Sequence, residues 1–261
     1  MKCHRELASW RSWRRGYGGE LGFVPTLGGL HAGHEALIRR SVAENPHTVV
    51  SVFLNPTQFD AETDLSSYPA EIHADLEQLQ AWGVDQVLLP TADAIYPDQY
   101  RYRVSENDLS QRLCGAHRPG HFDGMLTVVL RLLNLTRPTR AYFGEKDYQQ
   151  LQLVRGLVDA FLLDTEIVAC ATVRAEDGLA LSSRNARLSP AQRALAPRLV
   201  QVLRHSADAK SAAAELSALG FAVDYVEDYE GRRLAAAALG DVRLIDNVPL
   251  ASPALSGVSN A

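Results

Sequence analysis

What most constrains this chain is an alternation. Short apolar or β-branched runs, ELGFVPT (20–26), TVVSVFL (48–54), DQVLLP (85–90) and TEIVACAT (165–172), alternate with stretches of helical periodicity. Those stretches fall at 34–44, 71–82, 123–136 and 147–161, the last carrying Leu151, Val154, Leu157, Val158 and Phe161 near 3.6 spacing. Near-continuous apolar strands are buried on both faces, as in a parallel sheet. Strands of that kind alternating with helices predict βαβ units and a doubly wound, Rossmann-like α/β sheet. Ligands of such sheets bind beyond the carboxyl ends of the strands, and the loops at 25–34, 55–59 and 144–150 all follow apparent strands.

A second region begins near residue 173. Ser189 at an N-cap, Pro190 at the first helical position and Gln192 at the capping-box position mark a helix start. An Ala-rich helix at 207–219 and the strand-like runs FAVDYVE and VRLIDNV follow. The expected division is a larger domain over 1–172 and a small α+β domain over 173–261, with a polar tail at 251–261 that frays.

Composition removes several function classes. A net charge of −5 argues against a nucleic-acid or membrane partner recognised by bulk charge. Arg5, Arg11, Arg14 and Arg15 crowd the start, but no apolar run approaches the roughly 20 residues of a membrane span, and no signal peptide is legible. Cys3, Cys114 and Cys170 are odd in number and lack CxxC spacing, which points to reduced thiols and a cytoplasmic protein.

The segment VPTLGGLHAGHEALI (24–38) carries the first chemistry. A glycine-bearing turn running into a helix start offers free backbone N–H groups and the positive end of a dipole, both suited to an anion. His31 and His34 lie at i and i+3, on one side of the turn. The plain alternative is a surface turn with incidental histidines. Zinc is a second alternative, but further ligands at suitable spacing are not evident. In FLNPTQF (53–59), Asn55 and Gln58 offer uncharged hydrogen bonds to hydroxyls or a carboxylate. In YFGEKDYQQL (142–151), Gly144 permits close backbone approach, Lys146 supplies a point charge, Asp147 stands at an expected N-cap, and Gln149 and Gln150 open a helix. DGLALSSRNARLS (177–189) adds two hydroxyls and Arg184. Each segment taken alone is compatible with solvated polar residues.

Together they resemble a family. HxGH after a first strand is the signature of the nucleotidyltransferase superfamily. VPTLGGLHAGH, VFLNPTQF, LCGAHRPGHFDGMLTVV, AYFGEKDYQQL and DGLALSSRN, in that order, resemble the pantoate–β-alanine ligases (pantothenate synthetases) from about residue 20 to 190. The resemblance implies an enzyme that condenses pantoate with β-alanine through a pantoyl adenylate, releasing AMP and diphosphate. It implies ATP binding by Leu27, Gly28, Gly29, Leu30, His31, Ala32, Gly33 and His34, by Gly144, Glu145, Lys146 and Asp147, and by Val173, Leu181, Ser182, Ser183 and Arg184. His34 would be the catalytic proton donor, with His31, Lys146 and Arg184 stabilising charge on phosphate. Gln58 and Gln150 would hold pantoate, Gln58 would also meet β-alanine, and Asn55 stands in the same substrate loop. Asp75 matches an acidic position near the family's Mg²⁺ site, with ATP as co-substrate. A homodimer and a lid-like C-terminal domain are implied as well.

The chain departs from the family at Leu27 (usually Met), Ala70 (usually Arg) and Ala171 (usually Pro). It also reads as lacking an extra N-terminal strand, and its C-terminal domain reads as short. Other readings of the motifs are a different HxGH adenylyltransferase, or a nucleotide-binding homologue with impaired catalysis.

Overall fold

The computed structural model describes residues 1–59, 65, 68 and 71–250. Ala70 and the tail 251–261 lie outside the described residues. The chain folds as two compact units: Met1–Ala175 with Ala180–Ala186, and Glu176–Leu179 with the chain from Arg187 onward.

The first unit runs β1 (Lys2–His4), α1 (Leu7–Gly16), β2 (Leu21–Thr26), α2 (Ala32–Glu44), β3 (His47–Val52), α3 (Ile72–Ala81), β4 (Gln86–Leu88), α4 (Ala92–Ile95), α5 (Cys114–His117), α6 (His121–Thr136), β5 (Arg140–Gly144), α7 (Tyr148–Ala160) and β6 (Glu166–Cys170). Its six strands are parallel in the order β1-β4-β3-β2-β5-β6. This is the doubly wound sheet that the alternation predicts. From β2 the chain steps outward through β3 and β4, then returns to place β5 on the other side of β2. That reversal opens a crevice at the carboxyl ends of β2 and β5. Val24, Val50 and Val87 on neighbouring strands share a buried cluster with Ile38 of α2 and Leu79 of α3. Each such side chain taken out of water contributes about 1.5–3 kcal/mol.

Two N-terminal elements correct the sequence reading. The chain does have an N-terminal strand: Lys2, Cys3 and His4 of β1 pair with Gln86, Val87 and Leu88. It escapes pattern reading because it is three residues of KCH at the sheet edge, anchored by His4, whose ring bonds Ser9 and Gln86 at 2.9 Å each. The basic, Trp-bearing α1 is a structural helix. Trp10 donates to the Leu135 carbonyl, and Arg14 donates to the Thr136 and Arg137 carbonyls, each at 2.9 Å. Those carbonyls belong to the last turn of α6 and its C-cap Arg137, where orphan acceptors need partners.

The second unit contains α8 (Pro190–Leu195), α9 (Arg198–His205), α10 (Ala209–Ala218) and an antiparallel sheet of β7 (Ala222–Tyr229), β8 (Arg232–Leu239) and β9 (Val242–Pro249). The Ser189–Gln192 capping box is formed in both directions. β8 reads RRLAAAAL, an Ala-rich run without strand propensity, yet it is the central strand, paired on both edges. Ala235, Ala236 and Ala237 are at most 1% exposed. Tertiary pairing overrides propensity there, because small side chains suit a crowded layer.

Candidate functional site

The turn after β2 is built around left-handed glycines. Gly28 and Gly29 have φ of 89° and 64°, a region that β-carbons disfavour, so the GG pair belongs to the backbone. The Gly29 and Leu30 N–H groups donate to the two carboxylate oxygens of Asp75, on α3, at 3.0 and 2.8 Å. Leu30 directs its side chain into the core, and Leu27 is half-buried.

α2 begins two residues before the periodicity suggests, with Ala32 exposed in its first turn, because the histidines cap it. Nδ1 of His31 accepts the Gly33 N–H at 3.0 Å, and Nδ1 of His34 accepts the His31 N–H at 3.3 Å. This is a capping box written in imidazoles. An accepting Nδ1 carries no hydrogen, so each neutral ring keeps its proton on Nε2. Gly33 is required for the same reason: a β-carbon there would lie 2.7 Å from Cε1 of the His31 ring. The ring centroids are 4.2 Å apart. Burial, then the neighbouring His31, then Lys146, pull the His34 pKa down to about 3. Burial and Lys146 lower His31 too. Both rings are therefore neutral donors at physiological pH, and His34 holds no imidazolium proton to give.

Across the crevice β5 ends at Gly144, where a β-carbon would meet nothing within 4 Å. Protein packing does not demand glycine there, whereas a ligand approaching the backbone would. Glu145–Asp147 form a 3-10 turn leading into α7. Asp147 occupies the N-cap position, but its side chain makes no capping hydrogen bond, contrary to expectation; its Oδ2 lies 3.9 Å from Nζ of Lys146. The paired glutamines divide. Gln149 is buried and locks the LCG loop through the Cys114 N–H and the Leu109 and Arg112 carbonyls, while Gln150 is half-buried in the first turn of α7.

Residues 173–175 and 180–186, which belong to the first unit, return to the same region. Val173 accepts the Leu181 N–H at 2.9 Å, and Cβ of Leu181 lies 3.9 Å from where a β-carbon on Gly33 would stand. Oγ of Ser182 accepts the Arg184 N–H. Oγ of Ser183 donates to the Tyr68 hydroxyl, that hydroxyl donates to the Gly28 carbonyl, and the Arg184 guanidinium lies 5.7 Å from the Tyr68 ring centroid. Tyr68, which pattern reading missed, thus touches both the glycine turn and the serine loop. No spacing or periodicity in the sequence signals it.

After β3, the NPTQF segment places Asn55 and Gln58 differently from expectation. Asn55 is 0% exposed, and its polar atoms are engaged by Tyr96, Thr57, Gln58 and Gly124. It is a buried brace, not a substrate ligand. Gln58 is half-exposed, and its backbone carbonyl accepts from Nδ1 of His121 at 2.7 Å and from Arg118 at 3.4 Å. His121 thus supports Gln58 from behind. Gln58 lines a cavity of about 160 Å³ together with Phe59, Tyr100, Arg103, His121 and Asp123.

Asp75 also departs from its expected role. A carboxylate that is 3% exposed and bonded by two backbone amides does not present the open, hydrated oxygens that Mg²⁺ coordination uses. Among the described residues no group of three His, Cys, Asp or Glu is arranged to hold a metal. Among the described residues the donor set does not fit a protein-held Mg²⁺. No described helix is long and apolar enough to cross a membrane, and none of the three cysteines forms a disulfide.

A family model described as pantoate-β-alanine ligase matches residues 1–249. The chain is 53% identical over 246 residues to a pantothenate synthetase of Bdellovibrio bacteriovorus, covering 94% of this chain and 98% of that relative. It is 49% identical over 249 residues to one from Legionella pneumophila, covering 95% and 99%. A crystal structure of pantoate-β-alanine ligase from Francisella tularensis, complexed with β-γ ATP and β-alanine, matches with a TM-score of 0.91 at 37% identity, covering 95% of this chain and 97% of that one. A pantothenate synthetase structure from Thermus thermophilus matches with a TM-score of 0.89 at 41% identity, covering 95% and 99%.

Proposed function

This chain belongs to the pantoate–β-alanine ligase family, and we propose that its paired histidines act as neutral hydrogen-bond donors to the α-phosphate of ATP. The reaction is the ATP-dependent joining of pantoate to β-alanine. In the first step a pantoate carboxylate oxygen bonds to the α-phosphorus, the bond to the β-phosphate oxygen breaks, and diphosphate leaves. The amine of β-alanine then attacks the acyl carbon, the acyl–oxygen bond breaks, AMP departs, and the nitrogen gives up a proton. Adenylation is needed because a bare carboxylate has no adequate leaving group.

The observation that carries the reading is the reciprocal histidine cap. With both Nδ1 atoms committed to backbone N–H groups, both Nε2–H groups remain as donors for phosphoryl oxygen. A preorganised donor of this kind is worth roughly 3–4 kcal/mol in a transition state that gains charge on oxygen. Lys146 and Arg184 supply cationic donors for the departing diphosphate. Leu27 to His34, Gly144 to Asp147, Val173 and Leu181 to Arg184 form the ATP site, and Gln58 and Gln150 hold pantoate. Mg²⁺ enters with ATP as the metal of the nucleotide, and Asp75 acts on the turn backbone. By the same family resemblance the enzyme is a cytoplasmic homodimer.

Pantoate-dependent exchange of labelled diphosphate into ATP tests the assignment. The wild type exchanges, and His34→Ala and Lys146→Ala lose at least about a hundredfold, the size expected for one well-placed donor. Full exchange in both variants refutes the site. Retention of the adenylyl group in the final product, in place of AMP release, would point to a different adenylyltransferase.

A further inference from the structure

We propose that Tyr96, Thr57 and Asn55 form a positioning relay that fixes the side-chain amide of Gln58 with its NH₂ turned outward, so that Gln58 reads a carboxylate or hydroxyl oxygen of the substrate and not an amine. The proposal rests on the substrate site described above and specifies its polarity.

One group against this loop cannot be inverted. The Gly124 carbonyl belongs to the backbone of α6 and lies 3.3 Å from Nδ2 of Asn55. A carbonyl only accepts, so the Asn55 atom facing it is the NH₂. Oδ1 of Asn55 then faces two hydroxyls that donate to it, Tyr96 at 2.6 Å and Thr57 at 3.0 Å. The two hydroxyls are themselves 3.1 Å apart. Tyr96 remains a protonated donor, since burial pushes its pKa up to about 12. The second hydrogen of Asn55 Nδ2 goes to the Gln58 side chain at 2.9 Å. Because that contact receives a donated hydrogen, the Gln58 atom in it is Oε1. Nε2, with both of its hydrogens, is left for a ligand.

Inverting the chain would set Oδ1 of Asn55 against the Gly124 carbonyl at a site with no solvent exposure. The helix cannot retreat to relieve that clash. A β-carbon at position 124 would lie 2.1 Å from the Thr57 carbonyl and 2.8 Å from the Gln58 N–H, so α6 lies directly against this loop. The Arg131 guanidinium, 4.9 Å over the Tyr96 ring and paired with Asp98 at 2.8 Å, holds the tyrosine from its other side. For the second substrate the polarity has a direct consequence. An outward NH₂ has no lone pair for an ammonium donor, so Gln58 engages the carboxylate of β-alanine and leaves the nucleophilic nitrogen free.

Tyr96→Phe keeps the ring and removes one hydroxyl, while Thr57 still satisfies Asn55. Its expected effect is a rise in the pantoate KM of about tenfold, the worth of one buried hydrogen bond, with the ATP KM unchanged. Asn55→Asp cannot donate to Oε1, so Gln58 turns over, and the pantoate KM rises further while the ATP KM again stays put. Equal changes in both KM values, or none in either, overturn the relay. A readout independent of activity accompanies the kinetics: in the free wild-type protein, the Asn55 side-chain NH₂ resonances are protected from hydrogen exchange and those of Gln58 exchange freely. The reverse pattern overturns the polarity even if the enzyme is active, whereas absent turnover with the expected pattern faults the activity assignment alone.

Discussion

Single atoms decide much of this site. His31 and His34 accept backbone N–H groups through Nδ1, and that commitment fixes which nitrogen carries the proton. It also sets a pH dependence. Between the ordinary imidazole value and about pH 3, the unfolded chain holds a proton at residue 34 that the folded chain does not. The unfolded state binds more protons in that window, so stability falls as pH drops below about 6.5 and is fully present near neutrality. His34→Gln keeps a side chain able to reach back to the N-cap amide but does not titrate. The stability advantage of wild type over the variant in urea unfolding should therefore shrink between pH 7 and 5, by at most about 1.4 kcal/mol per pH unit. A gap independent of pH would refute the depressed His34 value. The HxGH pattern was legible in the sequence, and its reading as a phosphate motif came from the family resemblance; the tautomers were not legible, since they depend on where a helix starts.

Elements position those atoms. The glycine turn leaves β2, and α3 holds it through one carboxylate bonded to two successive amides. Family resemblance pointed Asp75 toward the metal, because acidity is visible in a sequence and burial is not. Asp75→Asn separates the roles. An asparagine accepts with one atom and sets an NH₂ against the other amide, so the turn loses a charge-assisted bond worth about 1.5–3 kcal/mol. The expected outcome is a higher ATP KM and a lower melting temperature, with an unchanged Mg²⁺ concentration dependence at fixed MgATP. A shifted Mg²⁺ requirement with native ATP affinity would restore the metal role. Most elements were legible from periodicity: the strands β2, β3, β4 and β6 and the helices α2, α3, α6 and α7 fall within a few residues of expectation. β1 and β8 were not, because an edge KCH and an alanine run become strands only through the partners they meet.

At the scale of the molecule, the ATP and pantoate residues proposed above all fall within the first unit, Ser182, Ser183 and Arg184 included. The second unit has its own core, in which Val200, Leu203, Leu216, Phe221, Leu244 and Val248 are each at most 5% exposed. Two cores predict two calorimetric transitions. At a hundredfold excess over its dissociation constant, MgATP should stabilise the transition of the first unit by about 2.7 kcal/mol. The other transition should move less. An equal shift of both would show that the second unit also grips the nucleotide.

The sequence by itself determined the parallel α/β sheet, the family and the order of the short polar motifs proposed to bind phosphate. Each of these is written locally, in apolar periodicity or in the order of short polar signatures. Only the tertiary structure decided which polar residues are committed to the protein itself. Asn55 and Asp75 were expected to meet substrate or metal, but they are buried and committed to neighbours at Gly124, Gln58, Gly29 and Leu30. A side chain's donors and acceptors are set by its chemistry; whether they remain free depends on chain segments distant in sequence.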